Sequence, residues 1–145
     1  MSTNAISHRT PVQLAATAVG AVFLLVGILG FVPGITGGAI GFAGLGSHAM
    51  LLGVFQVSVL HNIVHVLFGI AGLVLGRTVG GSKGFLTWGG AIYLVLFVYG
   101  LVFGGESAGN FVPVNMADNI LHLVLGVGMI GLGLVLGRNT VAARR

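Results

Sequence analysis

The sequence has very little charge for its length. Of 145 residues, six are Lys or Arg and two are Asp or Glu, whereas 56% are hydrophobic and 27 are Gly. A water-soluble domain carries charge on roughly a quarter of its residues. Because so few charged side chains cannot cover a polar surface, the composition excludes an ordinary soluble domain and predicts an integral membrane protein.

Other absences exclude whole classes of chemistry. Cysteine is missing, so disulfides, thiolate metal sites and Cys nucleophiles are ruled out. The net charge of +4 reflects scarce acids rather than a basic patch, which argues against nucleic-acid binding. Carboxylates are restricted to Glu106 and Asp118, and the Gly-rich strings lack the Lys-Ser/Thr of a P-loop. We therefore expect no autonomous catalysis.

Four apolar stretches are long enough to cross a membrane, which takes about 20 residues. They cover about residues 11–31, 59–76, 85–103 and 116–137. Thr10, Ser58 and Asn115 are the expected helix caps of the first, second and fourth spans. The apolar segment before the second span, residues 49–57, is expected to form a short interfacial helix or a re-entrant segment, because irregular backbone cannot face lipid.

The positive residues predict the orientation of these spans. Arg9 precedes the first span. Two positive residues, Arg77 and Lys83, lie between the second and third spans, and three more follow the fourth span: Arg138, Arg144 and Arg145. By the positive-inside rule both termini are cytoplasmic, and Trp88 and Tyr99 are candidate interfacial anchors. We read the first span as a retained helix rather than a signal peptide because it is too long and no cleavage motif follows closely.

The chain also repeats itself. Residues 61–69 read HNIVHVLFG and residues 118–126 read DNILHLVLG, and both spans finish on GLVLGR, at 72–77 and 133–138. The halves, about 11–77 and 85–138, each contain two crossings and start and end on the same side. We therefore predict an all-α four-transmembrane-helix bundle built from two parallel two-helix repeats related by an axis along the membrane normal.

Helical spacing places small residues on one face of each repeated span, where they would let backbones approach closely in lipid. We expect these faces to form a packing seam between the second and fourth spans. The glycines concerned are Gly69, Gly72, Gly76, Gly126, Gly133 and Gly137.

The same two helices carry polar residues that the repeat pairs with one another near the non-cytoplasmic end. Intramembrane ionisable residues are functional candidates, but Asn and His can also simply hydrogen-bond between helices. The six residues expected to converge are His61, Asn62, His65, Asp118, Asn119 and His122.

Two kinds of ligand site are alternatives to that structural role. Three imidazoles and one carboxylate, from His61, His65, His122 and Asp118, form an acceptable set for Zn²⁺ or Cu²⁺. His65 and His122 could instead be axial ligands of a b-type haem, with Gly69 and Gly126 making room for the ring. A proton relay or a small-ligand pocket that opens outward is a further interpretation.

The segments GVFQV at 53–57, LHNIVH at 60–65 and DNILH at 118–122 resemble a family of uncharacterised small bacterial proteins with four membrane spans, grouped as a domain of unknown function. A looser similarity in shape connects the chain to DoxX-like proteins. The resemblance implies a fold and a topology, without an activity, cofactor or substrate. We therefore expect a non-catalytic structural or accessory protein of the bacterial plasma membrane, surrounded by lipid and able to form a homo-oligomer or join a larger membrane complex.

Overall fold

The computed structural model describes residues 8–142, with side chains described up to residue 138. Four α-helices make up most of it: α1 (Pro11–Leu29), α2 (Val59–Leu75), α3 (Val79–Phe103) and α4 (Met116–Ala142). Of these, α1, α3 and α4 are long and apolar enough to cross a membrane, and α2 is a shorter apolar helix. The architecture is that of a helical membrane protein. Arg144 and Arg145 lie outside the described residues.

Local capping fixes where the helices start. The Thr10 amide donates to Oε1 of Gln13 at 3.0 Å, and the Ser58 hydroxyl accepts from the His61 amide at 3.1 Å. Helix α3 begins at Val79, before the expected residue 85. Thr78 explains the difference, because its hydroxyl accepts from the Gly81 amide at 3.0 Å and starts the helix despite the low helix propensity of the glycines that follow.

The helices pack as two antiparallel pairs, α1 with α2 and α3 with α4, and α1 also contacts α3. The Gln13 side chain donates to the Arg77 carbonyl at 2.7 Å, which brings the start of α1 to the end of α2. Lys83 lies against Gly137, which does the same for α3 and α4. The basic residues of the described chain therefore gather at one end of the bundle, referred to below as the basic end.

The connection between α1 and α2 contains a small antiparallel sheet at the opposite end. Its strands are β1 (Thr36–Gly37), β2 (Ala49–Leu51) and β3 (Phe55–Val57), in the order β1-β2-β3. The expectation of a helix or re-entrant segment over residues 49–57 is wrong. Leu52 and Gly53 have φ values of 54° and 70°, the positive values that a tight hairpin turn requires, and the hairpin pairs backbone groups that a re-entrant coil would leave free.

The interior of the bundle is aromatic and aliphatic. Phe23, Phe85, Leu86, Tyr93 and Met129 are buried in one cluster. A second, smaller cluster under the sheet contains Ala49, Leu51 and Val57 packed on the end of α1. The outward faces of the helices are apolar as well, and several of their large side chains are more than half exposed, including Leu25, Leu67, Val95 and Val124. Soluble monomers rarely expose apolar surface on this scale.

Candidate functional site

Four of the six predicted polar residues line one cavity at the end of the bundle opposite the basic end. The cavity has a volume of about 100 Å³ and lies between α2, α4 and the β2–β3 hairpin. Its polar lining residues are His61, His65, Asp118 and His122. The remainder of the lining is apolar and comprises Val26, Leu51, Leu52, Phe55, Val57, Leu121 and Leu125.

Helix α2 contributes two histidines, one turn apart. The imidazoles of His61 and His65 stack with their ring centroids 4.6 Å apart. Nδ1 of His65 lies 3.1 Å from the His61 carbonyl. Since a carbonyl only accepts, this nitrogen carries the proton and Nε2 of His65 is left as an acceptor.

Helix α4 contributes Asp118 in the third position of the helix, opposite its cap Asn115. The Asn115 amide donates to Oδ2 of Asp118 at 2.9 Å, and the Asp118 amide donates to Oδ1 of Asn115 at 2.9 Å. This is a reciprocal capping box. The same Oδ2 also accepts from the Gln56 amide of β3 at 3.0 Å. The carboxylate thus caps α4 and holds the hairpin against it.

The floor of the histidine cluster is aromatic. His65 meets Phe23 edge to face at a centroid distance of 5.7 Å, and His122 meets Tyr93 in the same way at 5.4 Å. Nδ1 of His61 and Nδ1 of His122 are both buried without a hydrogen-bond partner. A buried imidazole nitrogen in this state is costly, and the two histidines that carry these atoms line the cavity.

Asn62 and Asn119 do not join the cavity. Asn62 lies against Gly30 at the end of α1, and Asn119 lies against Gly100 near the end of α3, so closely that a Cβ on either glycine would overlap the amide. Nδ2 of Asn62 and Oδ1 of Asn119 are buried without partners. The two asparagines therefore belong to the contacts inside each helix pair.

The glycine faces pack against α1 and α3 and do not form a seam between α2 and α4; most contacts lie within the pairs, and Gly72 also lies against Phe85 of α3. A Cβ on Gly72 would lie 2.6 Å from Cα of Gly20, and one on Gly76 would lie 2.7 Å from Oγ1 of Thr17, both on α1. Gly69 faces Leu24 in the same way. Gly126, Gly133 and Gly137 face Leu94, Thr87 and Lys83 of α3. The expectation of a seam between the second and fourth spans is wrong because spacing identifies a helix face without identifying the helix that it meets.

The arrangement does not suit the predicted metal and haem ligands well. Within residues 8–142 no group of three or more His, Cys, Asp or Glu has the geometry to hold a metal ion. Pockets for drug-sized ligands measure about 300–1,000 Å³, so the cavity of about 100 Å³ is too small for a porphyrin.

Several residues that build the site had not been singled out in the sequence. Phe23 and Tyr93 form its floor and Leu51 and Phe55 its wall. The wall could have been predicted, because Gly53 lies between two short apolar runs, a pattern that favours a hairpin. Helical spacing does not assign the aromatic floor, because apolar residues occur on every face of these helices.

Fold and site together define a helical membrane protein with a small, mostly apolar cavity near one end. The chain belongs to the family described as Domain of unknown function (DUF4383), whose model matches residues 13–135. No curated protein matches the chain. No solved structure matches it either.

Proposed function

We propose that this protein is a non-catalytic accessory protein of the bacterial plasma membrane, with four membrane spans and both termini in the cytoplasm. The main support for a structural role comes from the hydrogen bonds of Asp118. Its carboxylate oxygen accepts from two backbone amides, one in its own helix cap and one in the β3 strand. This use of the carboxylate supports a structural role for Asp118.

The distribution of charge supports the topology. Arg9, Arg77, Lys83 and Arg138 lie at the basic end, whereas Glu106 and Asp118 belong to the opposite half. By the positive-inside rule the basic end faces the cytoplasm. Helix α2, with 17 residues, is about 26 Å long at ~1.5 Å per residue, near the lower limit for a span.

Matched contacts support two repeats. Gly69 meets Leu24 where Gly126 meets Leu94, and Asn62 meets Gly30 where Asn119 meets Gly100. The histidine contacts agree, since His65 meets Phe23 and His122 meets Tyr93. In each half the same position of one helix touches the same position of the other, as a pseudo-two-fold axis along the membrane normal requires.

Cysteine labelling tests the topology. The chain has no cysteine, so single cysteines can be introduced at Ala108 and at Gly80, both exposed and at opposite ends of the bundle. In intact cells a membrane-impermeant maleimide should label Ala108→Cys and leave Gly80→Cys unlabelled until the membrane is opened. Labelling of Gly80→Cys alone in intact cells would refute the orientation.

A second measurement tests the accessory role against the metal or haem alternative. Protein purified without chelator should be colourless and contain no stoichiometric metal. A Soret band, or one equivalent of Zn or Cu that is lost in His65→Ala and His122→Ala, would overturn the proposal. If the protein carries no metal or haem, cross-linking in the native membrane shows whether the accessory partner is a second copy or another membrane protein.

A further inference from the structure

We propose that the cavity between the histidine cluster and the β2–β3 hairpin is a binding site for a small neutral alcohol or phenol, entered from the outer side of the membrane. This inference goes beyond the proposed accessory role. The ligand class is defined by an apolar body, a single hydroxyl group and a size no greater than that of a monocyclic ring.

The size limit comes from the volume of the cavity. An engineered cavity of about 150 Å³ holds benzene, and this cavity measures about 100 Å³. It is also incompletely enclosed, since Leu52 at the hairpin turn and Leu121 on α4 are 66% and 37% exposed. A ring of this size therefore fits if its edge extends beyond the cavity, toward these partly exposed leucines.

The neutral charge follows from the lining. No Lys or Arg lies among the described residues around the cavity, so an anion would have no opposite charge to meet. A cation would depend on Asp118, whose Oδ2 already accepts from the Gln56 and Asn115 amides. One carboxylate in a mostly apolar lining cannot replace the hydration shell of a cation, and burying a charge without enough partners is expensive, so the site disfavours ions of either sign.

The hydroxyl group follows from the three imidazoles that line the cavity. His61 and His122 are 6% and 5% exposed, and Nδ1 of each is buried without a partner. The other histidine, His65, has its Nδ1 against a carbonyl, which leaves its Nε2 as an acceptor. A hydroxyl can both donate and accept, so one such group can serve a neighbouring pair of imidazoles in either tautomer.

Water is the competing occupant, and the lining disfavours it. A water molecule fills about 30 Å³ and needs two to four polar partners, so about three would share a few imidazole nitrogens and the Asp118 carboxylate. The seven apolar residues of the lining offer them none. An amphipathic molecule replaces poorly bonded water with apolar contact while keeping one hydrogen bond.

Paired ligands test the proposal on the full-length protein in nanodiscs. Phenol and toluene have nearly the same shape, and only phenol carries a hydroxyl. Titration followed by the imidazole NMR resonances should show saturable phenol binding at least tenfold tighter than toluene binding. Non-saturable partitioning of both compounds, or equal affinity for the two, would overturn the proposal and leave the cavity a water site.

Variants locate the binding. His122→Phe and His61→Phe should each reduce the preference for phenol at least tenfold, whereas His48→Phe, which changes an exposed histidine outside the cavity, should leave it intact. Leu125→Phe should fill the cavity and abolish saturable binding, which keeps the test informative if a histidine variant misfolds. Unchanged binding in Leu125→Phe would refute this location. Cysteine labelling does not depend on the ligand, so the proposed topology and the proposed binding site are tested independently.

Discussion

Phe23 of α1 and Tyr93 of α3 stack face to face at the centre of the bundle, with ring centroids 5.2 Å apart and ring planes 10° apart. Each ring also meets a histidine edge to face, Phe23 with His65 and Tyr93 with His122. The stacked pair thus joins the two helix pairs and supports the histidine cluster from below.

Removing one ring should destabilise the bundle. Phe23 is 3% exposed, and Phe23→Ala would leave a void of roughly 80 Å³, which costs about 2 kcal/mol at ~24 cal/mol per Å³. The loss of stability should be smaller than for the same change in a soluble core, because Phe23 of the unfolded bundle is in lipid rather than in water. Thermal unfolding in detergent measures it. Phe42→Ala, at a position 66% exposed, is the control and should change stability little; equal effects of the two variants would contradict the role of the stack.

The glycine contacts make a second prediction. In Gly126→Leu the new side chain would meet Leu94, where even a Cβ would lie 2.6 Å from Cδ2. Overpacking of this kind costs typically about 1–3 kcal/mol, so the unfolding temperature should fall.

Gly131→Leu is the matched control on the same helix. A Cβ there would meet nothing within 4 Å, so this variant should unfold like the parent. If both variants have the parent's stability, the α3–α4 contact is not tight and the packing described here is wrong.

The glycine and histidine contacts show which parts of the packing can be predicted from the sequence. The repeat equates Gly69 with Gly126 and His65 with His122, and helical spacing puts each pair on one face. The structure adds that these faces meet α1 and α3. Spacing carries no information about the partner helix, since α1 and α3 are apolar on every side and offer no contrasting face.

The polar site was predicted only in part for a related reason. The sequence correctly placed the polar residues near one end of the helices. It did not separate Asn62 from His61, which are adjacent in sequence but about 100° apart around an α-helix. Only His61 reaches the cavity. The hairpin wall was missed because an apolar run of nine residues fits a short helix as well as two strands, and the deciding turn contains Leu52, a residue that rarely adopts positive φ.

Asp118 should be important for the hairpin as well as for α4. Asp118→Ala leaves the Gln56 and Asn115 amides without their acceptor. Unsatisfied buried donors cost about 1–3 kcal/mol, and because these two are half-buried we expect the lower end of that range. Asp118→Asn keeps an oxygen at this position and should recover much of the loss. Hydrogen exchange at the Gln56 amide reports the effect directly.

The exposed carboxylate of Glu106 provides the control for Asp118. Glu106→Gln should leave exchange at Gln56 unchanged. Slow exchange at Gln56 in Asp118→Ala would mean that the carboxylate does not hold the hairpin.

Tyr99, which the sequence suggested as an interfacial anchor, uses its hydroxyl to organise the loop between α3 and α4. The hydroxyl donates to the Gly109 carbonyl at 2.7 Å and accepts from the Phe111 amide at 2.7 Å. Tyr99→Phe removes both bonds and a longer third one from the Val112 amide at 3.4 Å. A typical net loss of about 0.5–1.5 kcal/mol per bond should speed exchange of the Phe111 amide by up to about tenfold. Tyr93→Phe removes the hydroxyl of the other tyrosine and should leave that amide unaffected. If Phe111 exchanges equally in both variants, the loop is held by other contacts, and the hydroxyl of Tyr99 is free to act at the membrane surface as the sequence suggested.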